Sequence, residues 1–314
     1  MAAKRCRSPL DDSYEWALRR AALTWIDQRT DSGRGFHLFT SDELRHGFTF
    51  AGDPVPLVGP QQGIWKPRGL AAALSIRTTF TAPRETAPYE DTLGADGYLR
   101  YKYRGHDPQH SDNRALRTAL EQGLPLMWFW GIAPAIYEAV RPVWLIAEEE
   151  PSRQFVVAVD EAQRSVGIGS AATDADRHYA ERLTRQRVHE PVFRAQVIMA
   201  YGQCCAICRL KYVSLLDAAY ILREGHPRGD AVVENGLALC KIHHAAFDQN
   251  LIGVRPDKLI VEVRAEVRAQ SDGPMLLHGL QEMQGVALQL PSSRRDRPDR
   301  TRLEERWEEF RRTG

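Results

Sequence analysis

The sequence predicts an α+β protein of two domains, and three observations carry that prediction. The 314 residues are 43% hydrophobic and 26% charged. At roughly 100–200 residues per domain this length suits two domains, and the composition is too apolar for a disordered chain. The first half alternates short β-branched and aromatic runs with Gly and Pro, the pattern of a mostly β domain. In the second half, four of the five cysteines (Cys204, Cys205, Cys208 and Cys240) lie in one stretch, while Cys6 stands alone. That is not a disulfide framework and reads as a metal site in a reduced, cytoplasmic setting. The 42 basic and 41 acidic residues leave a formal charge of +1, which excludes a uniformly basic coat but not local basic patches. No apolar run reaches the ~18 residues of a transmembrane helix, and MAAKRCRSPLDDSYEW lacks the apolar core of a signal peptide.

Taken in order, DDSYEWALRRAALTWI (11–26) places Trp16, Leu18, Ala21, Ala22 and Trp25 near helical spacing, with Asp11 or Asp12 as N-cap. Strands are expected at SIRTTF, YLRYKY, LPLMWFWGI, RPVWLIA and QFVVAV, each bounded by turn residues. Between them DNRALRTALEQG (112–123) is a helix, with Leu116, Ala119 and Leu120 on its apolar face and Gly at its end. Composition turns polar and small after Asp160, and SAATDADRHYAERLTRQRVHE reads as an exposed connecting helix. Pro191 then opens an apolar helix, PVFRAQVIMAYG. The expected organisation is therefore a first domain over 1–165, a linker helix over 166–190, a second domain over 191–265, and a C-terminal extension over 266–314 ending in a charged helix.

The sharpest signal is Cys205-Ala-Ile-Cys208, then 31 residues, then Cys240-Lys-Ile-His243-His244. A CxxC pair on a tight knuckle aims two thiolates at one point, and a CxxH pair opening a helix does the same from the other side. Cys3His is a closed, tetrahedral zinc set, so Cys205, Cys208, Cys240 and His243 are the expected zinc ligands. Cys204 falls outside the CxxC spacing. His244 is turned about 100° around the helix from His243, and Asp248 lies four residues on, on the His244 face. His244 and Asp248 can together hold one Mg2+ or Mn2+ while leaving positions open for a phosphate.

The motifs YGQCCAICR, ENGLALCKIHHAAFD and LIGV, with the strand LLDAAYI (215–221) between the cysteine pairs, resemble the HNH, or ββα-metal, nuclease family over 191–263. The resemblance implies a ββα-metal zinc domain with flanking helices, a structural Zn2+ and a catalytic Mg2+ or Mn2+. It makes the position of Tyr220 that of the general base, Asn235 the residue that fixes the loop carrying the base, and His244 a metal ligand. As a residue of an Asn-Gly pair, Asn235 also reads simply as a turn former. The sequence departs from the family at Tyr220, where the pattern has His. A phenol of pKa ~10 is about one-thousandth ionised at pH 7, and losing a positioned base costs about 10²–10⁴ in rate. Three readings of the departure stand: an impaired enzyme, replacement of the base by His226, or a protein that binds without cutting.

In the first half, APYEDTLGADGYLRYKYRGHD (87–107) and NRALRTALEQGLPLMWFWGI (113–132) resemble SRA domains, which flip a 5-modified cytosine out of duplex DNA. The match covers about 70–160 and implies an SRA/PUA-like twisted β-barrel. It makes Tyr89, Asp91, Tyr103 and Arg104 the base-binding residues, although Arg104 stands where the family has threonine. Two rings can sandwich a flipped base at about 1–3 kcal/mol per stack, and a carboxylate such as Asp91 can accept from the cytosine N4 amine. Arg100, Lys102 and Arg104 can contact phosphates. Tyr101 and Tyr103 also read as core, since alternate strand residues share a face. Trp128 and Trp130 read as core, and Trp65, in GIWKPRG, as an exposed loop residue or a second DNA contact.

The combined resemblance implies a restriction endonuclease directed to double-stranded DNA carrying 5-methyl- or 5-hydroxymethylcytosine. It implies a homodimer as well, because one HNH site cuts one strand. The alternatives are a modified-DNA reader with a degenerate nuclease and an RNA-binding PUA-like protein.

Overall fold

The computed structural model describes residues 12–31, 37–60, 62–81, 93–165 and 173–313. The described chain forms two compact units, with the division between Pro191 and Val192.

In the first unit, α1 (Asp12–Asp31) precedes β1 (Phe39–Thr40), α2 (Ser41–His46), β2 (Phe48–Phe50), β3 (Asp53–Val55), β4 (Ile64–Trp65), β5 (Ser75–Thr78) and β6 (Leu99–Lys102). Then come α3 (Ser111–Glu121), β7 (Leu126–Ala133), β8 (Ile136–Glu149), β9 (Gln154–Ala158) and α4 (Asp174–Thr184). A seven-stranded sheet runs β4-β5-β7-β8-β9-β6, with β1 paired to the start of β8. Only β5 and β7 are parallel among its pairs. The sheet curls into a half-barrel: the Tyr101 hydroxyl, on edge strand β6, donates to the carbonyl of Gly63 at 2.9 Å, beside the opposite edge β4. A register shift between Leu145 and Ala147 in β8 adds to the bend.

Helix α1 buries Leu18, Ala22 and Ile26 against Phe39, Leu44, Phe129 and Ala139. These residues follow an i, i+4, i+8 spacing along one face. Trp16, expected on that face, is 43% exposed, because it precedes the stripe by two positions and points away. Arg19 is buried within this helix, where its two terminal nitrogens bond Glu15 at 2.6 Å and the carbonyls of Pro125 and Ala73. The segment read as an exposed connecting helix is helical but has a buried face. Ala180 packs with Tyr98, Val156 and Ala158, and Thr184 donates to the carbonyl of Gly97 at 2.8 Å.

The second unit is built on α5 (Glu190–Ala200), the antiparallel hairpin β10 (Leu216–Tyr220) and β11 (Gly236–Cys240), and α6 (Lys241–Asp248). A second hairpin follows, β12 (Ile252–Arg255) with β13 (Ile260–Val263), then α7 (Ala265–Ala269), α8 (Pro274–Gly279) and α9 (Arg300–Arg312). Its core gathers Phe193 and Val197 of α5, Leu216 and Ala219 of β10, Leu237 and Leu239 of β11, and Phe247 of α6. The C-terminal extension belongs to this core through Leu288 and Leu303. Gly253 is required where α9 crosses β12, since a Cβ there would lie 2.7 Å from the Phe310 ring.

Candidate active site

The cysteine knuckle is shaped by backbone bonds before any metal is considered. The Cys205 amide donates to the carbonyl of Leu210 at 2.9 Å, and the Ala206 amide donates to the carbonyl of Ala238 at 2.7 Å. The second bond fastens the knuckle to β11. That strand delivers Cys240 to the N-cap of α6, so His243 falls in the first turn of the helix and turns inward, 2% exposed. The four ligand atoms of Cys205, Cys208, Cys240 and His243 all lie within 4.8 Å of one another.

These distances fit a tetrahedral zinc ion. With Zn–S near 2.3 Å and Zn–N near 2.0 Å, tetrahedral angles require S···S of about 3.8 Å and S···N of about 3.5 Å. The structure has Cys208 Sγ to Cys240 Sγ at 3.9 Å and Cys205 Sγ to His243 Nδ1 at 3.5 Å. The contacts from Cys208 and Cys240 pull the Cys205 thiol well below its ordinary value, toward the thiolate form that binds metal. The outer nitrogen, His243 Nε2, donates to the carbonyl of Gly279 at 2.8 Å, which leaves Nδ1 as the ligand atom. Cys204 is buried but directs its sulfur to the Cys205 carbonyl and to Gln289. Cys6 lies outside the described residues.

One residue along the helix, His244 faces a different site. Its Nε2 lies 3.3 Å from Asp248 Oδ2, the pairing that the four-residue spacing predicts. Two donors at right angles on a ~2.1 Å divalent centre stand about 3.0 Å apart, so this pair fits one Mg2+ or Mn2+. The second nitrogen, Nδ1, faces Asp217 Oδ2 at 3.4 Å. Sequence reasoning missed Asp217. It comes from β10, 27 positions before His244, and nothing in the apolar run LLDAAYI marks it as part of a site. Asp217 is also paired with Lys241 and with Arg194 at 3.2 Å. The two flanking carboxylates, Asp217 first, push the His244 imidazole up to about 9 when no cation is bound. Burial opposes ionisation of Asp217, but its bonds to His244 and Lys241 hold it well below the carboxylate range.

Asn235 is fully buried at the turn into β11. Its Oδ1 accepts from the Leu222 amide at 2.9 Å, and its Nδ2 donates to the carbonyls of Leu222 and Asp230, both at 3.0 Å. It thus clamps the chain two residues beyond Tyr220. Tyr220 closes β10 opposite Gly236, half-buried, with its ring stacked on Phe193 at 4.3 Å and 15°. A side chain at Gly236 would strike Val197 and Phe193. His226 is engaged on both nitrogens, by Glu305 of α9 at 3.2 Å and by the Arg228 amide. Two arginines close the last turn of α6, where carbonyls lack helical partners. Arg223 binds the carbonyl of Asp248 at 2.7 Å, and Arg306 binds that of Phe247.

In the first unit, Tyr89 and Asp91 lie outside the described residues. Tyr103 is 1% exposed, its ring 5.2 Å from that of Phe155. Its hydroxyl donates to Glu148, which is held by Arg117. Burial, then Glu148, pushes the Tyr103 phenol up to about 12. Arg104 pairs with Asp112, and its amide donates to Asn113 at 2.8 Å. Arg100 is held by Asp96 and Glu149, and Lys102 by Gln154. Trp128 is fully buried with its Nε1 donating to Thr78 at 2.8 Å, and Trp65 donates to the carbonyl of Pro56 at 2.8 Å.

The sequence model of one family, HNH endonuclease, matches residues 205–255. These residues span the cysteine knuckle, the β10–β11 hairpin, α6 and β12, and the chain carries an HNH endonuclease domain there. No curated protein matches the sequence. Among solved structures the chain is similar to "Modification dependent TagI restriction endonuclease", at 18% identity and a TM-score of 0.28, covering 79% of this chain and 85% of the other. It is also similar to "Structure of the Type IV phosphorothioation-dependent restriction endonuclease ScoMcrA", at 13% identity and a TM-score of 0.22, covering 60% of this chain and 48% of the other. Among the described residues no helix is long and apolar enough to cross a membrane.

Proposed function

We propose that the protein is a DNA endonuclease, with phosphodiester hydrolysis in the HNH domain and recognition of 5-methyl- or 5-hydroxymethylcytosine in an SRA/PUA-like first unit. The observation that carries the nuclease reading is the division of labour on α6. His243 turns inward to the Cys3His cluster, while His244 and Asp248 form a second pair, 3.3 Å apart, fit for a divalent cation. When bound, that cation would lower the pKa of an attacking water and neutralise charge on the scissile phosphate. His244 and Asp248 would hold it, and Zn2+ would be structural, held by Cys205, Cys208, Cys240 and His243.

The chain's own groups set what remains. Asn235 fixes the segment after β10 by three hydrogen bonds, so whatever stands at the base position is held to the hairpin. That residue is Tyr220, whose neutral hydroxyl is a poor proton acceptor near pH 7. The enzyme is therefore slow rather than dead. His226 already spends its nitrogens on Glu305 and the Arg228 amide, which makes it a weaker substitute base.

The modified-base reading rests on the sequence segments 87–107 and 113–132. There Asn113 ties the turn after β6 by bonding Arg104 and the carbonyl of Asp107. Tyr89, Asp91, Tyr103 and Arg104 are the proposed base contacts. A stacking role for Tyr103 requires its buried ring to be uncovered when DNA binds. A double-strand break needs two such sites, hence a homodimer, and the reading places the enzyme in the cytoplasm. The second reading, a modified-DNA binder that has lost cleavage, is favoured by Tyr220 alone.

The test is a binding series with methylated duplex, unmodified duplex and RNA of the same sequence. Preference for the methylated duplex is expected, and Asp91→Ala weakens that preference by about 1–3 kcal/mol in a folded protein. Equal binding to both duplexes contradicts the modified-base reading, and preference for RNA replaces it.

A further inference from the structure

We propose that Asp217 is the positioning carboxylate of the cation site, accepting from His244 Nδ1 so that Nε2 is presented beside Asp248. The proposal rests on the reading of His244 and Asp248 as cation ligands and adds a residue to it. An imidazole offers two nitrogens, and a metal-bound histidine commonly donates its other N–H to a carboxylate, which fixes both tautomer and ring rotation. Here the two nitrogens of His244 lie between two carboxylates on opposite edges of the ring. Asp248 Oδ2 is 3.3 Å from Nε2, and Asp217 Oδ2 is 3.4 Å from Nδ1.

The two carboxylates differ in setting, and the difference assigns their roles. Asp248 is the more open, with its side chain 49% exposed against 22% for Asp217. Asp217 is already held on its other oxygen by Arg194 at 3.2 Å and on the shared oxygen by Lys241. Arg194 in turn donates to the carbonyls of Leu216 and Val213. Asp217 is thereby tied to α5 and to the start of β10. It is placed to orient a ring, while the partly solvated Asp248 has room for a cation and its waters. The ring is thus braced from one side by the hairpin and left open on the other.

The experiment measures Mn2+ affinity and zinc content of the full chain, with thermal melting as a control on folding. Asp217→Ala and the similarly sized, acceptor-free Asp217→Leu are each expected to weaken Mn2+ binding about 10–100-fold, with one zinc retained. Asp217→Asn keeps an oxygen for Nδ1–H and is expected to recover most of the affinity. If Ala and Leu variants that retain zinc and melt like the parent bind Mn2+ as the parent does, while His244→Ala abolishes binding, Asp217 has no positioning role. If His244→Ala and Asp248→Ala both bind Mn2+ as the parent does, the cation site itself is misassigned, and the proposal falls with it.

Discussion

Four side chains reach one point because the backbone brings them there: the Ala206 amide bonded to Ala238 sets the knuckle on β11, and Cys240 ends that strand. Removing any one ligand leaves an incomplete donor set, and zinc affinity is folding energy for a domain of this kind. Cys208→Ala or Cys240→Ala is therefore expected to reduce zinc from one ion per chain to near zero and to unfold the second unit, while Cys204→Ala leaves zinc in place. Elemental analysis with circular dichroism checks both: a Cys240→Ala protein that keeps its zinc would refute the metal assignment, and a folded, zinc-free one would refute the coupling of zinc to folding. That these four residues come together was legible in the sequence, because each pair is three positions apart, with two residues between, on a knuckle and on a helix start. Asp217 was not legible, because its meaning depends on a histidine that only the hairpin brings within reach. The engagement of His226 by Glu305 was hidden for the same reason, since α9 lies far along the chain.

At the scale of elements, Glu148 of β8 joins two others, accepting from Tyr103 beyond β6 and from Arg117 of α3. The Arg117 bonds are the largest cause of its lowered pKa. A carboxylate depressed in the folded state stabilises above its unfolded pKa and loses that contribution as pH falls through its folded value. Glu148→Gln is therefore expected to destabilise the first unit by about 1–3 kcal/mol at neutral pH. The gap between variant and parent closes as pH falls below about 4. Denaturant unfolding across pH reads this directly, and a gap that persists at low pH would show that the side chain acts by packing. The second unit has a comparable joint at Gly253, where Gly253→Ala would press a methyl into the Phe310 ring and cost about 1–3 kcal/mol. Helix α1 shows what periodicity gives and withholds. The stripe Leu18, Ala22, Ile26 was written in the spacing, but the same spacing could not tell that Trp16 turns outward. Helix α4 was legible as a helix and not as a packed one, because its buried positions are Ala180 and Thr184, residues that carry little hydrophobic signal.

For the whole molecule, the HNH domain followed from local motifs, and the family match over 205–255 agrees with it; the Cys3His cluster, compatible with zinc, followed from the spacing of its residues. The first unit was legible as a run of strands, but the curl that brings Tyr101 to Gly63 is a long-range contact that no local pattern encodes. In the proposed function the HNH site lacks only its general base. Cleavage of plasmid DNA carrying 5-methylcytosine, in Mg2+ or Mn2+, by the parent, Tyr220→His, and Tyr220→His with His244→Ala, tests it most directly. A slow parent, a gain of roughly 10²–10⁴ for Tyr220→His, and loss of that gain in the double variant are expected. A parent that already cuts as fast as Tyr220→His, or a gain that survives His244→Ala, would contradict it.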